Sequence, residues 1–163
     1  MQRRIMEHII FCVIVWSIVF ILIPFFRIKE LAVVILVSIV WMIFVDNIST
    51  SLGYYSYHNL IIPVGTTSLF HLLALSGVGI LMINWLKENS FTKLLAVFTV
   101  GLAFSILQGI YIGTGAFSYE KFDVVLSFIH SIAALSIFVW LSLSIVGEEK
   151  IYSGHKSRIR AIA

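Results

Sequence analysis

Residues 31–50 read LAVVILVSIVWMIFVDNIST, and no position from Leu31 to Val45 carries a charge. Such a run is apolar all round. It lacks the polar stripe of a surface helix, so only a large core or a membrane satisfies it. Asp46 and Asn47 then open a polar last turn that carries the helix to about residue 49. Outward from this segment the pattern recurs, with apolar runs at about 6–26, 60–86, 91–112 and 122–146 separated by short polar stretches. Together with 31–49 they predict an all-α, polytopic transmembrane helical bundle of five spans. Each span is able to cross roughly 30 Å of hydrocarbon at about 1.5 Å per residue. Pro63 is placed in the first turn of the third helix, where a missing N–H is tolerated. Asn89 or Ser90 is the expected cap of the fourth.

Composition agrees. Of 163 residues, 60% are hydrophobic and 12% charged, and the mean hydropathy is +1.05. A soluble domain carries roughly twice that charged fraction. The length suits one transmembrane domain over 1–149 followed by a basic cytoplasmic tail, 150–163. The net charge of +3 does not point to nucleic acid, because Lys and Arg sit in loops and tails between apolar runs. A single cysteine, Cys12, excludes an intrachain disulfide and a multi-cysteine metal site. The first run follows Arg3 and Arg4, but it is long and has no small-x-small cleavage site, so it reads as a retained helix.

In a five-span layout Arg27, Lys29, Lys87, Lys93, Lys150, Lys156, Arg158 and Arg160 fall on one side, against Arg3, Arg4 and Lys121 on the other. The excess marks a cytoplasmic face. It places the C-terminus inside and the N-terminus outside a bacterial cytoplasmic membrane.

Gly53-Tyr54-Tyr55-Ser56-Tyr57 resembles Gly115-Ala116-Phe117-Ser118-Tyr119, 62 positions later, and Asp46 matches Gln108 at the same offset. One reading makes helices 2–3 and 4–5 two related hairpins with helix 1 added. The other is that glycine, serine and tyrosine suit any membrane surface.

Asp46, His71, Gln108, His130 and His8 each lie roughly 22–29 Å from the nearest cytoplasmic anchor at about 1.5 Å per residue. Ionisable groups at such depth are costly and turn away from lipid. The expectation is a polar pocket built from Asp46, His71, Gln108 and His130, roofed by Tyr54, Tyr55, Tyr57, Phe117 and Tyr119. Asp46, Tyr57, His71, Gln108, Tyr119 and His130 are the candidate ligand-binding residues. The plainer reading makes Asp46 a helix cap in headgroup water and His71 and Gln108 interhelical hydrogen-bonders. Glu7, His8 and His58 read as interfacial. Asp123, Ser127, His130 and Ala134 form one stripe on the fifth helix. Gly101, Ser105, Gly109 and Gly113 form a small-residue ridge on the fourth, suited to packing within or between chains.

The chain has no Gly-x-Ser-x-Gly, P-loop or Gly-x-Gly-x-x-Gly, and no His-x-x-x-His or Glu-x-x-His pair. No common soluble active site and no metal site is therefore predicted. No cofactor is predicted either, although a haem between His71 and His130 is chemically open. Asp46 and His71 are the acid/base candidates of an enzymatic reading.

The overall plan resembles the small, uncharacterised multi-pass membrane proteins of low-GC Gram-positive bacteria. Asp46, then Gly53-Tyr54-Tyr55-Ser56-Tyr57, then Pro63 is similar to membrane carotenoid cyclases and hydratases over about 20 residues. That resemblance implies catalysis on an isoprenoid-like lipid. The chain has Thr66, Thr67 and His71 where those cyclases carry further acidic residues. The leading expectation is a membrane protein, not demonstrably an enzyme, whose pocket takes a small lipophilic ligand or a partner helix.

Overall fold

A computed structural model describes residues 7–153. Arg3, Arg4, Lys156, Arg158 and Arg160, which enter the charge count above, lie outside the described residues. The helices are α1 (Glu7–Leu22), α2 (Phe25–Glu30), α3 (Ala32–Ser51), α4 (Leu69–Asn84), α5 (Ser90–Thr114) and α6 (Val124–Val146), with a short α7 over 148–153. Four short strands join them: β1 (Tyr55–Tyr57), β2 (Pro63–Val64), β3 (Thr67–Ser68) and β4 (Phe117–Tyr119). The helical architecture matches the apolar runs. α3, α5 and α6 are long and apolar enough to cross a membrane; α1 and α4 are apolar but shorter, at 16 residues each.

Three expectations need correction. The first helix stops at Leu22 rather than residue 26, because Pro24 has no N–H to continue the ladder and disfavours helical geometry at the residue before it. The chain restarts at once as α2, so the polar stretch between the first two runs is mostly helical. The third helix starts at Leu69, not near residue 60, and Pro63 opens a strand. β2 and β3 pair about Gly65-Thr66, with Gly65 at φ +63°, the positive φ a two-residue hairpin turn asks of its first residue. Asn47 of α3 fixes that turn by accepting from the Thr66 amide at 3.1 Å, and a Cβ on Gly65 would run into the same side chain. Lastly, residues 150–153 of the expected tail belong to α7 and pack on the bundle, with Ile151 and Tyr152 buried.

α4 is the hub. Eleven of its 16 residues are buried, including Ala74, Ser76, Gly77 and Gly79. These small residues let its neighbours approach closely, which is how helices pack where lipid removes the hydrophobic drive. A Cβ on Gly77 would sit 2.6 Å from Val15 Cγ1 of α1. One on Gly79 would sit 2.9 Å from both Ser38 Oγ of α3 and Phe138 Cζ of α6. The α5 ridge behaves unevenly: Gly101 packs on Ile132 and Phe128 of α6, while nothing lies within 4 Å of a Cβ on Gly109 or Gly113. α5 starts from an Asn89 cap, whose side chain accepts the Phe91 amide, and α6 from an Asp123 cap, which accepts the Leu126 amide. Asp123 thus belongs to the helix terminus rather than to the inward stripe.

The two ends of the bundle are built differently. At one end β1 and β4 form an antiparallel ribbon with Tyr55 opposite Tyr119, Ser56 opposite Ser118 and Tyr57 opposite Phe117. The loops that look alike in sequence also share their backbone bonds. Gly53 N–H donates to Thr50 and Tyr54 N–H to Ser49; 62 positions on, Gly115 N–H donates to Ile112 and Ala116 N–H to Tyr111. Both are helix ends closed by a left-handed glycine, at φ +68° and +75°. Across the ribbon, His58 N–H donates to Ala116 and Glu120 N–H to Tyr54, another pair at that offset.

At the other end Arg27, expected as a solvated loop cation, is only 3% exposed. Its guanidinium donates to the carbonyls of Lys150 (2.9 Å) and Ile151 (2.6 Å) in α7, to Glu30 (2.8 Å) and to Asn84 Oδ1 (3.4 Å). Lys93 lies over the Tyr152 ring at 5.3 Å, which seats α7 further.

Candidate functional site

Beneath the β1–β4 ribbon lies a cavity of about 50 Å³ between α3, α4, α5 and α6. Asp46, Tyr57, His71, Gln108 and His130 all line it, so five of the six predicted residues converge on one space. The sixth, Tyr119, stands one step back and donates to Gln108 Oε1 at 3.1 Å. Ser127 donates to the same oxygen at 2.9 Å.

Asp46 is the centre of the polar set. It is 1% exposed, so it does not cap α3 in solvent. Its Oδ1 accepts from the Tyr55 hydroxyl at 2.8 Å and from the Tyr57 hydroxyl at 3.4 Å. The Tyr57–Asp46 bond and the Tyr119–Gln108 bond are counterparts at the offset of 62. Asp46 Oδ2 is buried and has no partner among the described residues. Burial, and then the neighbouring carboxyl, push the Tyr55 and Tyr57 phenols well above their ordinary range, so both stay protonated donors.

Tyr57 also faces His71, with 3.3 Å between its hydroxyl and Nε2. Asp46 and His71 are therefore linked through one phenol. A single hydroxyl proton serves one acceptor, so when Tyr57 donates to Asp46 the His71 Nε2–H donates to the phenol oxygen. His130 Nε2 lies 3.1 Å from Ser49 Oγ on the opposite wall.

Three contributors escaped the sequence reading. His8, taken as interfacial, is fully buried, with its ring 5.6 Å from His71 and 5.1 Å from Tyr111, both edge-to-face. Both His8 nitrogens lack a partner among the described residues, as do His71 Nδ1 and the Tyr111 hydroxyl. Tyr111 lines the cavity from α5, and Tyr55, expected as roof alone, makes the shortest bond to Asp46. The spacing of His8, Val15 and Val19 marks one buried face of α1, but a helix apolar on every side gives no contrast from which to pick that face.

The cavity's remaining wall is apolar and aromatic, with Phe104, Leu107 and Phe117 among its members. Among the described residues no group of three His, Cys, Asp or Glu side chains is placed to hold a metal ion. No family model, no curated protein and no solved structure matches the chain.

Proposed function

We propose that this chain is a five-span protein of the bacterial cytoplasmic membrane, with its N-terminus outside and C-terminus inside. Its outward-facing intramembrane pocket binds a small lipophilic ligand. The observation that carries the reading is the convergence of Asp46, His71, Gln108 and His130 on one partly open pocket. Polar groups held in hydrocarbon merely by necessity pair off in twos; here Asp46 Oδ2 and His71 Nδ1 are buried with no partner among the described residues. Exposed Val13, Ile14, Phe20 and Ile21 on α1 support its assignment as a fourth lipid-facing helix, and α4 as the fifth crossing follows from its place at the hub. The basic residues at the Arg27 end and the tyrosine-rich ribbon at the other support the orientation. The matching turns and hydrogen bonds at an offset of 62 support α3–α4 and α5–α6 as related hairpins, with the pocket at their junction.

A cavity of about 50 Å³ seats a headgroup rather than a whole ligand, since drug-sized molecules need roughly 300–1,000 Å³. The chain of such a ligand lies along the apolar helix faces. Protein purified without delipidation is expected to retain a specific lipophile, read by mass spectrometry. Ala134→Leu, which puts three carbons into the cavity, is expected to abolish its retention while leaving the protein monodisperse. Unchanged retention in that variant overturns the pocket.

The bridge through Tyr57 favours a second reading, an enzyme acting on an isoprenoid-like lipid with Asp46 and His71 as the acid/base pair. Turnover of such a lipid by the wild type, lost in Tyr57→Phe, is its test. The haem reading draws less support, because both imidazole Nε2 atoms meet hydroxyls and the cavity is far smaller than a porphyrin. A Soret band in the purified protein would reinstate it.

A further inference from the structure

The geometry points to an alcohol hydroxyl as the headgroup this pocket recognises, held by Gln108, His130 and Ser131; the inference rests on the pocket reading above. The polar groups of the lining fall into two sets. Asp46 Oδ2, His71 Nδ1 and the Tyr111 hydroxyl are sealed, and the Tyr55 and Tyr57 hydroxyls are engaged by Asp46. Gln108 Nε2, His130 Nδ1 and Ser131 Oγ line the same pocket, make no hydrogen bond among the described residues and are not sealed. All three residues lie on α5 and α6, so the polar wall open to a ligand belongs to that hairpin. None of them is a carboxylate, ammonium or guanidinium. An ionic headgroup would enter without compensation, at a cost an uncharged one avoids.

The hydrogen-bonding capacity of this wall selects among uncharged groups. Tyr119 and Ser127 both donate to Gln108 Oε1, which fixes the amide and leaves its N–H donors for a ligand. Ser131 can donate and accept. His130 Nε2 and Ser49 Oγ share one proton. When Ser49 donates it, Nδ1 carries the ring proton; when Nε2 donates it, Nδ1 is an acceptor. A carbonyl or an ether only accepts, so it leaves Nδ1 unpaired in the second tautomer. A hydroxyl accepts from Gln108 and donates to Nδ1 or to Ser131, and so satisfies the wall in either tautomer. Size agrees. At roughly 10–15 Å³ per water-sized group, about 50 Å³ admits three to five heavy atoms, a hydroxyl with its carbon and the next one or two. Phe104, Leu107 and Leu135 make the neighbouring lining apolar, and the pocket is partly open, which lets the rest of a hydrocarbon chain leave it.

The test uses the full chain in nanodiscs of ether-linked phosphatidylcholine, which supplies neither a hydroxyl nor an ester carbonyl. 2-Hexadecanol is titrated against 2-hexadecanone, which lacks the donor, and against 2-methylhexadecane, in which a methyl replaces the hydroxyl. 2-Butanol is the water-soluble probe, and binding is read as a shift in Tm. The long-chain alcohol is expected to bind at least about tenfold tighter than either counterpart. Gln108→Leu and Ser131→Ala are each expected to cut that preference by about threefold or more. A response to 2-butanol, alone or with the long chain, assigns the alcohol to water. A response confined to 2-hexadecanol assigns it to a lipid leaflet; either upholds the inference. Ketone or hydrocarbon binding as tightly as the alcohol overturns the hydroxyl assignment and leaves the pocket standing, as does a preference that both variants keep in full. Binding by none of the four probes overturns it as well, and the pocket is then judged by the co-purification result. Should either variant fail to fold, the wild-type contrast between alcohol, ketone and hydrocarbon still decides.

Discussion

A Gly79→Leu chain is expected not to assemble: purified in mild detergent it should elute as aggregate, with no cooperative unfolding transition. Gly79 lies where three helices cross. Even its first added carbon would sit 2.9 Å from Ser38 Oγ and Phe138 Cζ and 3.2 Å from Ser38 Cβ. Ser38 is itself held, since its hydroxyl donates to the Leu75 carbonyl at 3.3 Å, and both Ser38 and Phe138 are buried. Overpacking a closed site costs about 1–3 kcal/mol for a methylene or two, and a leucine adds four carbons. Gly79→Ala should lose about 1–3 kcal/mol and remain folded, because the far edge of the Phe138 ring can give a little. Gly109→Leu, on an open face of α5, should stay within about 0.5 kcal/mol of wild type. A monodisperse Gly79→Leu protein with an unaltered Tm would show that α4 is not packed as described.

The second large effect is local. Arg27→Met keeps much of the apolar stem but removes the donors that hold the Lys150 and Ile151 carbonyls. Ser153 still donates to the Lys150 carbonyl at 2.9 Å, so the loss falls on the buried Ile151 carbonyl, at about 1–3 kcal/mol. The loss falls on the attachment of α7, not on the bundle, because α7 touches the rest through Arg27, Ile151 and Tyr152. A cost of about 2 kcal/mol raises the detached population on the order of 30-fold. Hydrogen exchange of the Ile151 amide, which donates to Gly147, should accelerate accordingly while the amides of α4 stay protected. Lys29→Met, which removes an exposed cation lying over Phe25 at 4.9 Å, should leave that rate unchanged. Equal exchange in Arg27→Met and wild type would mean that the guanidinium does not hold α7.

Which residues share a level was readable in the sequence and direction was not. Helical rise is fixed, so counting from Lys87 or Glu30 put His71 and Asp46 at one level, and the two line one cavity. Which way a side chain turns depends on the contrast between faces, and α1 offers none: His8 was misjudged for that reason, although it packs on His71. Arg27 was misjudged for another. Beside Lys29 and Glu30 it looks solvated, and its burial depends on carbonyls at 150 and 151. The stretch 60–68 looked like helix by its apolar content. Its run of Ile61, Ile62, Val64, Thr66 and Thr67 is β-branched, however, and Gly65 lets it fold back as a hairpin. The likeness of the two Gly-aromatic-Ser-Tyr loops was visible, but nothing local to either says that they pair with each other.

That pairing dictates an order of biogenesis. β1 leaves the ribosome long before β4, and the segment between them includes α4 and α5. Until α5 has been inserted, β1 has an unpaired edge, and the chamber under it has neither Tyr111 nor Gln108 to close its side. Closure of the ribbon is thus a late step of maturation, and a nascent chain arrested before residue 117 would present Asp46 with its two phenols in an open vestibule.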